Sequence, residues 1–363
     1  MIKKLHVQGY KSLHDLEIDD LRRFVLISGD NSIGKTNLLE ALFLFHHVQK
    51  PDFSNRHWHW RGIPHIPGDA RHFYGALFHK FDTDGEIVLG TKDSAGHDVE
   101  VRIRTPIRPS ASVAEIGDGS GPGLEAEASS SATGSPPGPL EVEIRSHDRS
   151  VEGALAFKQT KPGQWQAELD FDSQLPPVPN VIYLGTRLGM DAATEAARFG
   201  EYVERKKRVP FAVEIVKQVA GEIGDLSAIP FGGTNIVHCD VGWGEQIPLR
   251  LLGDGASRVL QYVCAILYAQ GSVALFDEVD SGLHYSVKEK VLRSLAMAAR
   301  ERDCQIFATT HSYECAEKAL EAFKDMRDDF CYVRLEREKG RIVAKHYSYD
   351  ALAVAIENKW EVR

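Results

Sequence analysis

The stretch Gly29-Asp30-Asn31-Ser32-Ile33-Gly34-Lys35-Thr36 fits the pattern G-x-x-x-x-G-K-[ST] at every position. That spacing suits a polyphosphate. Glycines free the backbone so that N–H groups can wrap phosphate oxygens, and a helix starting at the loop's end adds positive partial charge. Lys35 is a compact cation for the β- and γ-phosphates, a contact worth about 4 kcal/mol at an effective dielectric of roughly 20. Thr36 offers a hydroxyl to Mg²⁺. Such a site also needs a carboxylate for the metal and a group that acts on water. The apolar run Val273-Ala274-Leu275-Phe276 ends in Asp277-Glu278, which places Asp277 on Mg²⁺ through its water shell and Glu278 as general base. A second apolar run, Gln305 to Thr310, ends at His311. Ligands of open α/β sheets bind at the carboxyl ends of strands, so His311 is expected near the γ-phosphate.

Other segments must position these groups. Ile2, Leu5 and Val7 form a strand ending at Gly9-Tyr10-Lys11-Ser12, and Phe24-Val25-Leu26-Ile27 is a strand buried on both faces. Leu38, Leu39, Leu42 and Phe45 recur at helical spacing after the loop. Glu86–Leu89 and Val99–Ile103 read as antiparallel strands joined by Gly/Asp-rich turns. Residues 106–139 are rich in Ser, Gly, Pro, Ala and Glu, and too poor in apolar side chains to offset their ordering entropy; a flexible insertion is expected. Strands resume at 140–171 and at Val181–Leu184, and 191–225 reads as charged and helical. From Leu249 helices alternate with buried strands, the pattern of a parallel sheet with crossover helices. Asp277 lies 242 positions after Lys35, far beyond one crossover, so a lobe is inserted between the two halves of the site. The expected units are 1–105 and 140–190 (strands and phosphate loop), 106–139 (insertion), 191–248 (inserted helical lobe) and 249–363 (second half of the site). Gly253-Asp254-Gly255 with Ser257 opens a helix. The residues fit either an anion-binding nest with a cap or a plain helix start.

Composition narrows the function classes. The 363 residues carry 43 Lys plus Arg against 52 Asp plus Glu, a net charge of −9, so contact with nucleic acid needs a local patch rather than bulk charge. Arg205-Lys206-Lys207-Arg208 is the densest such run; a solvated helix face is the alternative. Five scattered cysteines without a C-x-x-C pair fit a reducing cytosol. No run of 18 apolar residues or signal-peptide core is present, so a cytoplasmic protein without a membrane span is expected. Five histidines between His57 and His79, interleaved with Trp58, Trp60, Arg56, Arg61 and Arg71, lack metal-ligand spacing. They read as a packed cap, or as a surface on which bases stack.

Together these segments resemble the ATP-binding cassette heads of the SMC/RecF/OLD group. They resemble more closely the stand-alone prokaryotic AAA-type ATP-binding proteins of anti-phage defence loci. The resemblance rests on Gly9-Tyr10-Lys11-Ser12, the loop continued through Asn37-Leu38-Leu39-Glu40-Ala41, Leu252 to Leu260, Asp277 to Ser286, and Ala308-Thr309-Thr310-His311-Ser312. It implies an α/β P-loop NTPase: an ABC-ATPase-like head with a mixed central sheet, an antiparallel β subdomain and an inserted helical lobe. It implies ATP and Mg²⁺ as cofactors, with Lys11, Asn37 and residues 29–36 on the nucleotide, Thr36 and Asp277 on the metal, and Lys35, Glu278 and His311 in catalysis. Gly253, Asp254, Gly255 and Ser257 would be a signature loop meeting the γ-phosphate on a second subunit, with Asp280 and Ser281 in the loop crossing the interface. Two head-to-tail chains would sandwich two ATP molecules and regulate a separate effector, a nuclease being one candidate, in phage defence or DNA maintenance. A nucleotide-sensing scaffold with little turnover is the alternative. Two departures are plain: the signature reads Leu-Gly-Asp-Gly-Ala rather than Leu-Ser-Gly-Gly-Gln, and Gly185-Thr186-Arg187 stands where related heads carry a metal-sensing Gln. No long coiled coil is expected, nor a C-terminal TOPRIM nuclease after 341–347.

Overall fold

The structure is a computed structural model that describes residues 1–54, 56–60, 74–106, 138–147, 149–161, 164–175, 180–185 and 191–362. The insertion expected over 106–139 falls almost wholly outside them, as does most of the His-rich segment.

The amino-terminal half is mainly strand. β1 (Ile2–Tyr10) and β2 (Leu13–Ile18) form a hairpin, β3 (Phe24–Gly29) follows, and α1 (Lys35–His47) leaves the phosphate loop. β4 (Glu86–Asp93), β5 (Asp98–Arg104), β6 (Leu140–Ser146), β7 (Arg149–Lys161) and β8 (Gln164–Phe171) come next, then β9 (Val181–Leu184). Seven of these strands make one antiparallel sheet in the order β2-β1-β4-β5-β6-β7-β8. β5 and β6 pair directly, Val101 opposite Ile144, so the 106–139 stretch joins two adjacent strands.

The carboxyl-terminal half alternates. α2 (Ala192–Phe199), α3 (Val209–Ala220), β10 (Asp225–Phe231), β11 (Thr234–Asp240) and β12 (Ile247–Pro248) precede α4 (Asp254–Tyr268). Then come β13 (Val273–Phe276), α5 (Tyr285–Glu301), β14 (Gln305–Thr309), α6 (Tyr313–Phe323), β15 (Phe330–Glu338), β16 (Arg341–Ser348) and α7 (Tyr349–Glu357). The central sheet has the order β16-β15-β3-β14-β13-β9, parallel throughout except for the β15–β16 hairpin. A mixed central sheet beside an antiparallel one is the architecture expected.

The period-two alternation of strands explains the layering. Along β3, Val25 and Ile27 face a core shared with α1 and the antiparallel sheet, while Phe24 and Leu26 face a second core with the later helices. β13, β14 and β15 divide in the same way, Leu275, Phe307 and Val333 to the first core, Phe276, Ala308 and Tyr332 to the second. The central strands must therefore be apolar where both faces are covered, as Phe24–Ile27, Val273–Phe276, Ile306–Ala308 and Phe330–Val333 are.

One expectation needs correcting. The inserted segment 191–248 is helical only to Ala220; residues 225–248 form a three-stranded antiparallel sheet. The cause is a two-residue hairpin at Gly232-Gly233, with φ of +59° and +90°, the left-handed pair that matches strand twist. The Arg205–Arg208 run sits in the turn before α3, its first three residues exposed and Arg205 paired with Glu201 at 2.9 Å. All five cysteines are buried and unpaired. No helix among the described residues is long and apolar enough to cross a membrane.

Candidate functional site

Parallel register brings four strand ends to one edge. Ile27 lies opposite Thr309, and Phe276 lies opposite both Ala308 and Leu184, so residues following β3, β13, β14 and β9 emerge together. At the end of β3 the chain turns sharply through Gly29 (φ +136°) and Gly34 (φ +104°). A Cβ on Gly29 would strike the Leu335 carbonyl oxygen, and one on Gly34 would lie 2.6 Å from Ser12 Oγ, so only glycine fits either place. Gly34 caps α1 without a side-chain hydrogen bond, leaving the first-turn N–H groups of the helix with no capping side chain.

Lys35, the first residue of α1, is buried; its Nζ donates to the carbonyls of Gly29 at 2.5 Å and Asp30 at 2.8 Å. The loop thus closes around its own ammonium. Burial lowers the Lys35 pKa from 10.5 to about 8, against the opposing pull of Asp277, Asp30 and Glu278. An anion in the loop would oppose that shift by stabilising the ammonium. Asp30, Asn31 and Ser32 are exposed around the rim, and Ile33 packs beneath them.

Asp277 ties the two halves together. Thr36 Oγ1 donates to Asp277 Oδ2 at 3.0 Å, and Thr309 Oγ1 donates to Asp277 Oδ1 at 2.6 Å. The Tyr183 hydroxyl approaches Oδ2 at 3.4 Å, next to the place where the expected Gln is missing. Each hydrogen bond to a buried charge of this kind contributes about 1.5–3 kcal/mol. Glu278 follows in a left-handed conformation, φ +50°, which costs about 1–3 kcal/mol for a residue with a Cβ. Its N–H donates to Thr309 Oγ1 at 2.8 Å, and Arg258 Nη2 donates to the Asp277 carbonyl at 3.0 Å. These bonds hold the acidic turn, and the Glu278 carboxylate lies half exposed, 3.5 Å from His311 Nε2. Lys35, Thr36, Asp277, Glu278 and His311, read from distant parts of the chain, are therefore assembled at one sheet edge. Thr309, Arg258 and Tyr183 were not singled out from the sequence. The Thr309-Thr310 hydroxyl pair just before His311 was the available signal for the first of them.

The remaining expected residues divide. Gly253 (φ +109°) and Asp254 are exposed at the start of α4, and a Cβ on Gly253 would meet open space. Gly255 is buried, its added Cβ falling 2.9 Å from the Gly282 carbonyl oxygen. Ser257 does not cap this helix: Gly253 is the N-cap, with no side-chain bond, and Ser257 is buried a turn inside, donating to Glu195. Glu195, itself buried, also accepts from Gln261 at 2.8 Å and Arg250 at 3.2 Å. Asp280 points inward, accepting from Thr310 Oγ1 at 2.8 Å and Lys288 Nζ at 3.2 Å, while Ser281 is half-buried beside it. Lys11 forms a buried ion pair with Glu40, and Asn37 Nδ2 donates to Ser12 Oγ at 2.7 Å, which clamps α1 to the β1–β2 turn.

Residues 24–316 match the family model described as "AAA domain, putative AbiEii toxin, Type IV TA system". The chain belongs to this AAA domain family. Along its whole length the AAA chain is similar to a curated Helicobacter pylori protein called ATP/GTP phosphatase: 22% identical, with 99% of each chain covered. Among solved structures it is similar to the Smc head domain with an extended coiled coil, bound to the C-terminal domain of ScpA, from Pyrococcus furiosus. That likeness has 13% identity, a TM-score of 0.52 and 99% coverage of both chains, and shows the fold: an ABC-type P-loop head.

Proposed function

We propose that this AAA domain chain is an ATPase head that hydrolyses ATP to ADP and phosphate. The observation that carries the reading is the meeting of Thr36 with Asp277 at 3.0 Å, which joins the phosphate loop to the acidic strand across 241 positions. The name of the Helicobacter relative supports it. N–H groups of residues 29–36 and the Lys35 ammonium bind the phosphates. A hydroxyl and a carboxylate facing one another are an oxygen donor set suited to a hard cation, so Thr36 and Asp277 fit Mg²⁺. When bound, Mg²⁺ supplies charge neutralisation on the β- and γ-oxygens. Glu278 takes the proton of the attacking water, and His311, 3.5 Å away, orients that carboxylate. Replacing Glu278 by Gln keeps the shape and removes the base. The expected result is retained ATP binding with turnover lost; wild-type turnover in this variant would refute the assignment.

The active unit is a head-to-tail homodimer with ATP at both joints. Its support is the exposed Gly253-Asp254 turn: no atom lies within 4 Å of where a Gly253 Cβ would stand, although the Gly253 N–H itself donates to the Arg250 carbonyl at 3.2 Å. Asp280 and Ser281 shape the adjoining loop from within. Dimer closing and opening regulates a separate effector in the cytoplasm, in phage defence or DNA maintenance; the toxin–antitoxin wording of the family description supports such a pairing. A nuclease is the effector class to test first, with the exposed Arg205–Lys207 turn as its nucleic-acid contact. Purifying the native assembly with Glu278→Gln and ATP, and weighing it, tests the dimer and the effector together. A monomer free of any co-purifying protein would contradict both.

A further inference from the structure

A cavity of about 320 Å³ opens beside the first turn of α1, lined by Lys11, Asn37, Trp58, Phe78, Lys80 and Phe81. Asn37 directly follows Thr36, so the cavity adjoins the end of the loop that would hold the phosphates. Its volume lies at the lower end of ligand pockets, about 300–1,000 Å³. The wall is firmly built. The Lys11 N–H donates to the Leu77 carbonyl at 2.9 Å, His79 Nδ1 donates to the Lys11 carbonyl at 2.7 Å, and Tyr10 bridges to Phe78. Lys80 and Phe81 both adopt left-handed backbone, φ +55° and +60°. The Phe81 ring lies against Gly75, where an added Cβ would sit 3.0 Å from it, yet Phe81 is 57% exposed. Left-handed backbone thus holds a large, largely exposed apolar ring at the rim of the cavity, an arrangement of the kind found at ligand clamps.

Three aromatic side chains and the Lys80 ammonium around a small hollow, with the Lys11–Glu40 ion pair in its wall, match the chemistry of a planar heterocycle. Ring faces stack on a base of any kind, and more strongly on a larger one. Adenine and guanine both carry N7 as an acceptor, and guanine adds O6 beside it, so an ammonium donor on that edge accepts either. We propose that this cavity receives the purine ring of the bound nucleotide, adenine and guanine alike, with Trp58 and Phe81 stacking on it and Lys80 donating to the N7 edge. This deepens, and rests on, the reading of residues 29–36 as a triphosphate site.

The test compares equilibrium binding of ATP, GTP, CTP and inorganic tripolyphosphate to the unmodified chain and to Phe81→Ala and Trp58→Ala. ATP and GTP should bind within about fivefold of each other and about tenfold or more tighter than CTP. Each variant should weaken both purine nucleotides about tenfold and leave tripolyphosphate unchanged. Phe81 is exposed, so its loss gives a folded variant even if Trp58→Ala does not. Purine affinity unchanged in Phe81→Ala, or CTP binding as tightly as ATP, would overturn the proposal. Lys35→Ala separates the two readings: tripolyphosphate binding that survives it overturns the phosphate site, whatever the base pocket does.

Discussion

The acidic centre around Asp277 and the turn at Gly253 differ in how far each is finished within one chain. Asp277 is buried and accepts hydrogen bonds from Thr36 and Thr309; Glu278 is held by the same Thr309, and Lys35 is wrapped by its own loop. The Gly253-Asp254 turn, at the start of a helix without a side-chain cap, is exposed, and nothing lies within 4 Å of where a Gly253 Cβ would stand. A group that must bind and discriminate charge is desolvated and cross-braced, as the first region is. A turn left sterically open in one chain is suited to a ligand carried by another.

Breaking the braced region should have the largest effect. Glu278→Gln is expected to lower turnover by about 10²–10⁴-fold while ATP binding holds, measured by steady-state kinetics and equilibrium binding. Breaking the open region should spare binding as well. Gly253→Val places a side chain and a strained φ on the exposed turn, so turnover should fall by about 10²-fold or more with ATP affinity per chain unchanged. A parallel loss of affinity would mean that Gly253 serves its own chain's nucleotide.

Smaller changes sharpen the contrast. Thr309→Val removes the hydroxyl that receives the Glu278 N–H and donates to Asp277. It should cost about 1–3 kcal/mol of stability by thermal unfolding, and turnover should drop about tenfold, with Thr309→Ser restoring both. The mildest effect is on pH. Between about 8, the lowered Lys35 pKa, and its ordinary 10.5, the unfolded chain binds a proton that the folded one does not. Stability of the nucleotide-free protein should therefore rise with pH across that window, and the cost of burying a charged Lys35 is fully present below it. ATP needs the ammonium charged, so its affinity should fall above pH 8 by up to about tenfold per unit. Lys35→Met should flatten both trends; an affinity constant across pH 8 in the unaltered chain would contradict the assignment.

What could be read from the sequence was whatever local spacing encodes. The phosphate loop, the acids after Val273–Phe276 and His311 after Gln305–Thr309 each sit at the end of an apolar run, and strand ends converge in a parallel sheet. Contacts made across the sheet or between lobes left no such trace. Thr309 reaches Asp277 over 32 positions, and Glu195 gathers Ser257, Gln261 and Arg250 from 55 to 66 positions away. Ser257 accordingly read as a surface cap when its hydroxyl is an interior donor. The sheet over 225–248 was announced by Gly232-Gly233 between two β-prone runs, but the charged helical text before it dominated the reading of the whole insertion. The wall at 74–81 depends on consecutive left-handed residues, Lys80 and Phe81, neither of a type that signals one.

The account stands on each chain finishing the other's site, and mixing two inactive variants tests that most directly. A Lys35→Ala chain lacks a working phosphate loop but keeps its Gly253 turn; a Gly253→Val chain is the reverse. Combined in equal amounts, half the dimers are mixed and each mixed dimer holds one complete site, so about a quarter of wild-type ATP turnover should return. A mixture no more active than the two variants apart would contradict it.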